Sequence, residues 1–427
     1  MSIFRNIAEV ISDAAYIWRQ EMRQVFCDEG VLIFFIIVPL AYPLLYSWVY
    51  NNETVRDVPV VVVDDSHSSL SRQFTRMCDA SADVKVLCHA ADMDEAKSLV
   101  SRQLAKGIYH IPSEFDRNIK RREQATVSVY CDMSLMLTYQ AVYQTAVAVS
   151  QTMGAGIQIG LTQPYTKREA EIGVRPLAVD EVPLFNPSGG YGSSILLAVL
   201  MLILQQTLIL GIGLSAGTAR ETNRYHELIP IDRHYQGVFR IVTGKALCYF
   251  MIYAVMGAYL TLVVPRLFSF PHIGQWQHLA LMMLPYILAC IFFGMIVSCI
   301  VRYRENVMLL MVFVSLPLLF LSGISWPYSS IPPFWQSISW LFPSTFGIQA
   351  YVRIESMGAT LHDVNTEYLA LWIQALLYFL IACGVYRHQI IVSRNHALDR
   401  LDRIGRKMEV QMHLRRRASA NKGATAK

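Results

Sequence analysis

The stretch Gly217–Lys245, GTARETNRYHELIPIDRHYQGVFRIVTGK, decides how the chain is read. It is dense in charge, with Arg220, Glu221, Arg224, Glu227, Asp232, Arg233, Arg240 and Lys245. On either side lie the apolar runs Ser193–Ala216 and Ile241–Val264, each long enough to cross a bilayer. Up to Ile229 the stretch reads as a short amphipathic helix, with Tyr225, Leu228 and Ile229 on one face at helical spacing. Pro230 ends that helix, and Asp232 can cap the next. Two readings follow. The elbow is a surface on which a soluble partner pushes, or it is a solvated loop that only fixes topology.

Working outward, the 427 residues are 54% hydrophobic and only 16% charged. Globular chains carry roughly 25% charged residues, and here the deficit is concentrated in uninterrupted apolar runs, the mark of an integral membrane protein. The net charge of +5 comes mainly from the segment after Tyr386. That basicity follows the positive-inside rule, and no folded reading surface for nucleic acid accompanies it. None of the eight cysteines falls in a CxxC spacing. Cys27, Cys248, Cys290, Cys299 and Cys383 lie in or beside apolar runs as packing residues, while Cys78, Cys88 and Cys131 allow at most one disulfide.

Residues 1–30 read as an amphipathic helix at the cytoplasmic membrane surface, with Ile3, Ile7, Val10, Ile11, Ala14, Ile17 and Trp18 at helical spacing. Residues 31–50 form the first span, with Pro39 and Pro43 inside; the long polar lead-in and missing cleavage site make it an uncleaved anchor. Residues 51–192 read as an extracytoplasmic α/β domain. Strands are expected at Val58–Val63, Val84–Leu87, Gly107–Ile111 and Thr126–Tyr130, and helices at Leu70–Met77 and Met93–Leu104. Asp64-Asp65-Ser66 offers a turn and a cap for the first helix. Met133–Thr166 holds no charged residue, yet Gln140, Gln144, Gln151 and Gln158 form a polar stripe and Gly154, Gly156 and Gly160 weaken it as a lipid-facing helix. It is read as a long helix of the inserted domain.

Residues 193–390 form the membrane half. Spans two and three flank the elbow; spans four, five and six are expected near Leu281–Val301, Val307–Ile324 and Tyr368–Tyr386. The tight basic turn Arg302-Tyr303-Arg304-Glu305 is assigned to the cytoplasm, and the loops with Arg266 and Arg353 to the other side. Residues 325–353 are too short and proline-rich to cross. Trp326, Trp335 and Trp340 suit the headgroup interface, so a re-entrant segment of two short helices is expected there. Residues 391–427 form a basic cytoplasmic tail whose Arg415-Arg416-Arg417 can touch anionic lipid. The architecture is a polytopic helical membrane protein of six spans with an inserted α/β domain.

Catalytic motifs are lacking. Gly237 to Gly244-Lys245-Ala246 has the wrong spacing for a phosphate loop, and Ala246 stands where magnesium needs Ser or Thr. His226, His234 and Cys88-His89 lack the spacing of metal ligands. The spans read as nearly free of ionisable groups, unlike those of ion-coupled carriers, so energy for any transport must come from a partner. Gln205, Gln206, Thr207, Ser315 and Ser322 are the main polar positions within spans; they can line a pathway or bond helix to helix.

The layout resembles the type-2 ABC exporter permeases, above all the bacterial multidrug-type permeases with a large periplasmic domain between spans one and two. The resemblance covers residues 1–390. Pro59–Asp64 leading into Ser66, Leu70, Ser71 and Arg72 is similar to that family's strand, acidic turn and helix start. Ile111-Pro112-Ser113-Glu114-Phe115 and Val129-Tyr130-Cys131-Asp132 are similar to two further segments. The resemblance implies that residues 217–230 are a coupling helix meeting a separate ABC ATPase subunit through Arg220, Glu221, Arg224, Tyr225, Glu227, Leu228 and Ile229. Asn223-Arg224-Tyr225-His226 departs from the family's longer pattern there. It further implies a second permease, as homodimer or paired paralogue, in a bacterial inner membrane. No cofactor is implied in this chain; a periplasmic adaptor and an outer-membrane channel are partners of some large-domain members. The competing readings are a non-transporting scaffold or receptor, and a membrane sensor.

Overall fold

The computed structural model describes residues 2–50, 55–162, 166, 168, 184–186, 190, 192–221, 237–270, 272–301 and 303–391. Contacts divide the chain into a helical unit, Met1–Asn51 with Tyr191–Lys427, and a second unit, Asn52–Gly190.

In chain order the elements are α1 (Ser2–Cys27), α2 (Glu29–Val49), β1 (Val58–Asp64), α3 (Ser69–Asp79), β2 (Val84–Ala90), α4 (Met93–Ser101), β3 (Gly107–Ile111), α5 (Phe115–Lys120), β4 (Ser128–Cys131) and α6 (Met136–Thr162). The helical unit resumes with α7 (Leu197–Glu221), α8 (Val238–Leu267), α9 (Trp276–Ile300), α10 (Arg304–Leu321), α11 (Pro333–Ser339), α12 (Pro343–Met357) and α13 (Asn365–Ile391). Among the described residues six helices are long and apolar enough to cross a membrane: α2, α7, α8, α9, α10 and α13.

The central helix of this unit is α7. Leu197, Leu200, Met201, Leu204 and Leu208 are all buried, against α2, α9, α10 and α12. Small residues set the closest approaches, the usual device where apolar burial cannot drive helix pairing in lipid. A Cβ at Gly211 would stand 2.1 Å from the Phe35 ring of α2, and one at Gly213 2.4 Å from Val307 of α10. Gly347 of α12 meets the Tyr286 ring of α9 in the same way, at 2.3 Å. By contrast α10 turns Leu309, Val312, Phe313, Leu316 and Phe320 outward, an apolar face of the kind lipid covers. Two of the spans widen to a π turn, at Ile33–Ile37 and Tyr259–Val263. Pro39 and Pro265 follow, and each would clash with a carbonyl four residues back, inside the π turn.

In the second unit the strand order is β2-β1-β3-β4, with β1 parallel to both neighbours and β4 antiparallel to β3. The valines of β1 are buried on both faces, which is why the strand reads as an unbroken apolar run. Val58, Val60 and Val62 face α3 and α6 with Phe74, Val142 and Ala146; Val61 and Val63 face α4 with Ala96. Two expectations shift. The cap of α3 is Ser68, not Ser66: its hydroxyl accepts from Ser71 N–H at 3.0 Å, and Ser71 Oγ donates to Asp64 at 2.7 Å. Helix α5 was not expected at all; it is one short, polar stretch whose Phe115 is buried in the core with Ile119 packed at its edge. All eight cysteines are free, and burial pushes the Cys78 thiol up to about 12.

The uncharged stretch ending near Thr166 contains α6, which packs on the sheet. Val142, Ala146, Val149 and Met153 point into the core, while Gln140, Gln144, Gln151 and Gln158 all lie exposed. The glutamine stripe is the solvated side of an amphipathic helix.

Candidate permease core and coupling end

Three elements of the helical unit, α2, α7 and α10, meet at one end. Asp28 caps α2, accepting from Gly30 and Val31 N–H at 3.0 and 3.3 Å. Arg304, opening α10, reaches Asp28 at 3.7 Å and donates to Thr218 Oγ1 of α7 at 3.2 Å. Gly217 permits this: a Cβ there would lie 3.0 Å from Arg304 Cα. The helix α7 thus runs past the apolar stretch into the first residues of the elbow and is tied to α10 as it goes.

Nearby, α1 lies along the first half of α8. Gly244 lets the two backbones close; its Cβ would stand 2.9 Å from Ile17. Arg240 donates to Asp13, Lys245 Nζ lies 2.7 Å from Glu21 Oε2, and Tyr249 donates to Glu21 Oε1. Lys245 and Glu21 are sealed from solvent. Lys245 closes the stretch read as the elbow and also falls within the run Ile241–Val264 read as the third span; its side chain is buried against α1. The third span begins at Val238, so Arg240 and Lys245 lie inside its helix. Asp13, Glu21, Arg240 and Lys245 were missed as a group, and the only sequence signal was acids on the polar side of the first helix.

Tyr50 and Gly192 mark the other end, where Phe270 packs against Gly192. There Ile273 and Gly274 N–H donate to the Glu355 carbonyl at 3.0 and 3.2 Å. The Glu355 carboxyl is fully buried and pairs with His272 Nδ1, while its Oε2 has no hydrogen-bond partner. Burial raises the Glu355 pKa, against the opposing pull of His272 and Arg266. Arg353 Nη1 bonds Glu367 at 2.7 Å beside it.

Between the ends lie the polar positions read as pathway or helix glue. Gln205 is buried and donates to Ser344 of α12 at 3.2 Å, with Cys290 of α9 donating to its carbonyl at 3.6 Å. Gln206 is buried with neither amide atom bonded, whereas the Thr207 hydroxyl bonds back to the Ile203 carbonyl at 2.8 Å. Ser322 closes α10, its carbonyl accepting from Gln349 of α12 at 3.2 Å. Ser315 is half-buried and bonds only its own helix. The five do not gather at one site: Gln205, Gln206, Thr207 and Ser322 are buried in the bundle, whereas Ser315 is half-buried, two turns before Ser322 on α10.

Of the interface tryptophans, all three are exposed, at 59% for Trp326, 49% for Trp335 and 58% for Trp340. The segment carrying them folds as a 3₁₀ turn, α11 and the start of α12, with Trp340 Nε1 donating to Tyr328 at 2.7 Å. Arg220 and Glu221 form the last turn of α7; Arg224, Tyr225, Glu227, Leu228 and Ile229 lie outside the described residues.

Six spans, with α7 buried at their centre, and an α/β unit inserted after the first define a multi-pass membrane protein. Residues 30–383 match the ABC-2 family transporter proteins, and the chain belongs to that family. It is accordingly the membrane component of an ABC transporter. No curated protein matches the chain.

Proposed function

We propose that the chain is the permease subunit of an exporter driven by ATP hydrolysed in a separate subunit. The cargo is an amphipathic or lipid-like compound taken from the cytoplasm or inner membrane. The observation that carries this reading is that α7, the buried centre of the bundle, continues through Gly217 to Glu221 into the charged elbow. A push on residues 217–230 would thus be delivered straight to the helix that most of the spans pack on. Arg304 and Thr218 stiffen that junction.

The basic turn at Arg304 shares its end with Thr218, so both are assigned to the cytoplasm with the two termini. The inserted unit, entered after Tyr50 and left before Gly192, is then extracytoplasmic, and Trp326, Trp335 and Trp340 rest at the outer headgroup level. The outward apolar faces of α2, α10 and α13 leave room for a second permease beside lipid. An adaptor and an outer-membrane channel would complete the path where two membranes must be crossed. The test is affinity purification of the full-length chain from its own membranes. An ATP-hydrolysing subunit should come with it, and the chain freed of that subunit should hydrolyse none; hydrolysis by the chain alone would refute the division of labour.

A further inference from the structure

The second unit holds a cavity of about 870 Å³ that the transport reading leaves unused. Sites for drug-sized ligands measure about 300–1,000 Å³. It opens between α5, β4 and α6, on the face of the sheet that carries α3. Its floor is apolar, made by Phe74, Phe115, Ile119, Met153 and Ile157. Phe74, Phe115 and Met153 belong to the buried core, so packing holds the floor in place. One wall is opened by a missing side chain: Gly154 lines the cavity, and a Cβ there would meet no atom within 4 Å.

The rim carries two opposite charges, Arg122 and Glu123. Arg122 has a φ of +58°, the left-handed turn that ends α5 and swings these two residues off the helix. Arg117 is paired with Glu114 at 2.5 Å and Lys120 with Asp116 at 2.6 Å, while Arg121, which has no carboxylate partner among the described residues, lies outside the cavity lining. Arg122 pairs with no carboxylate among the described residues. An apolar floor under an adjacent cation and anion matches a molecule with one apolar chain and a head bearing both charges.

We propose that this cavity binds a single-chain amphiphile with a zwitterionic head, the chain lying over Phe74, Phe115 and Ile157 and the head meeting Arg122 and Glu123. The site stands whether or not the chain exports anything. Such a ligand can arrive free in solution or be drawn from a bilayer, and the two sources share this chemistry.

The test uses full-length protein in lipid nanodiscs, free of competing detergent, and a lysophosphatidylcholine carrying a diazirine on its acyl chain. After irradiation, the label should fall on peptides covering 115–129 and 143–158, and excess unlabelled lysophosphatidylcholine should remove it. Gly154→Trp fills the cavity and should cut labelling by at least about tenfold, equivalent to about 1.4 kcal/mol of affinity. Gly156→Trp, on the same helix and also in open space but outside the cavity lining, should leave labelling unchanged. Arg122→Gln changes only an exposed side chain and should weaken labelling about two- to fivefold, the range of exposed charge pairs. Diazirine placed instead in the nanodisc phospholipid distinguishes the sources: label in the cavity from that arm assigns a bilayer ligand, label from the free probe alone a soluble one. No label in the cavity from either arm overturns the proposal, as does equal labelling of wild type and a folded Gly154→Trp. A cross-link from a cysteine at Gly154 to residues 163–189, in place of probe labelling, would give the cavity to the chain itself and overturn it too.

Discussion

Lys245 Nζ lies 2.7 Å from Glu21 Oε2, with the two residues 4% and 3% exposed. The pair fastens the amphipathic first helix to the third span across 224 positions of sequence. Tyr249, one turn beyond Lys245, donates to the other carboxylate oxygen and completes the site. A buried ion pair satisfied in this way is costly to break from one side only, because the survivor stays buried and unpaired.

Lys245→Ala should therefore destabilise the protein by about 3–5 kcal/mol, whereas Lys245→Met combined with Glu21→Leu should be near neutral. Tyr249→Phe should cost about 1.5–3 kcal/mol, as expected for a hydrogen bond to a charged group. Thermal unfolding of the full-length protein in one detergent ranks the variants. A single Lys245→Ala as stable as the double variant would mean the pair is solvated.

This pair also marks the limit of what the sequence discloses. The spans, the valine strand β1 and the glutamine stripe of α6 were legible because each is a periodic pattern within one element. The third span was placed from Ile241, which left Arg240 outside it, and hydropathy gave Lys245 no partner. Only the fold shows that these side chains meet Asp13 and Glu21, and that the helix can begin at Val238. Pairing between distant residues leaves no local period. The small α5 was hidden for a related reason, since one buried Phe115 in six residues makes no pattern. Among the polar span residues, nothing in composition separates Ser315, which bonds only within its own helix, from Ser322, whose backbone carbonyl accepts from Gln349 of another helix.

Glu355 gives a pH dependence with a definite sign. Burial raises its folded value above the ordinary 4.5, so the folded state keeps a proton that the unfolded state releases. Stability from this group is greatest below about 4.5 and declines as pH rises through the window above it. Glu355→Gln should flatten that decline in the thermal midpoint while keeping an acceptor for His272. His272→Ala should be harmful above the window, where the buried carboxylate loses its facing partner, by about 1–3 kcal/mol. A Glu355→Gln variant with the wild-type pH slope would assign the decline to other groups.

Topology can be read by thiol accessibility in a cysteine-free background. Ser269 and Tyr303 are both exposed and lie at opposite ends of the helical unit. Ser269→Cys should react with a membrane-impermeant maleimide in intact cells, and Tyr303→Cys only after permeabilisation. The reverse pattern would invert every loop, and the inserted unit with them.

If the elbow passes a partner's movement to α7, Leu228 is the residue whose change should show it. Leu228 shares an apolar face with Tyr225 and Ile229 in the amphipathic pattern, the kind of face that fills a groove on a partner, while Arg224 belongs to the charged rim, where single residues contribute little. The measurement is retention of the ATPase subunit on affinity-purified permease, with export by the same cells, for wild type, Leu228→Asp and Arg224→Ala. Leu228→Asp should insert normally yet lose the ATPase or export, and Arg224→Ala should keep most of both. A Leu228→Asp permease that retained its ATPase and exported at the wild-type rate would show the elbow to be an ordinary loop.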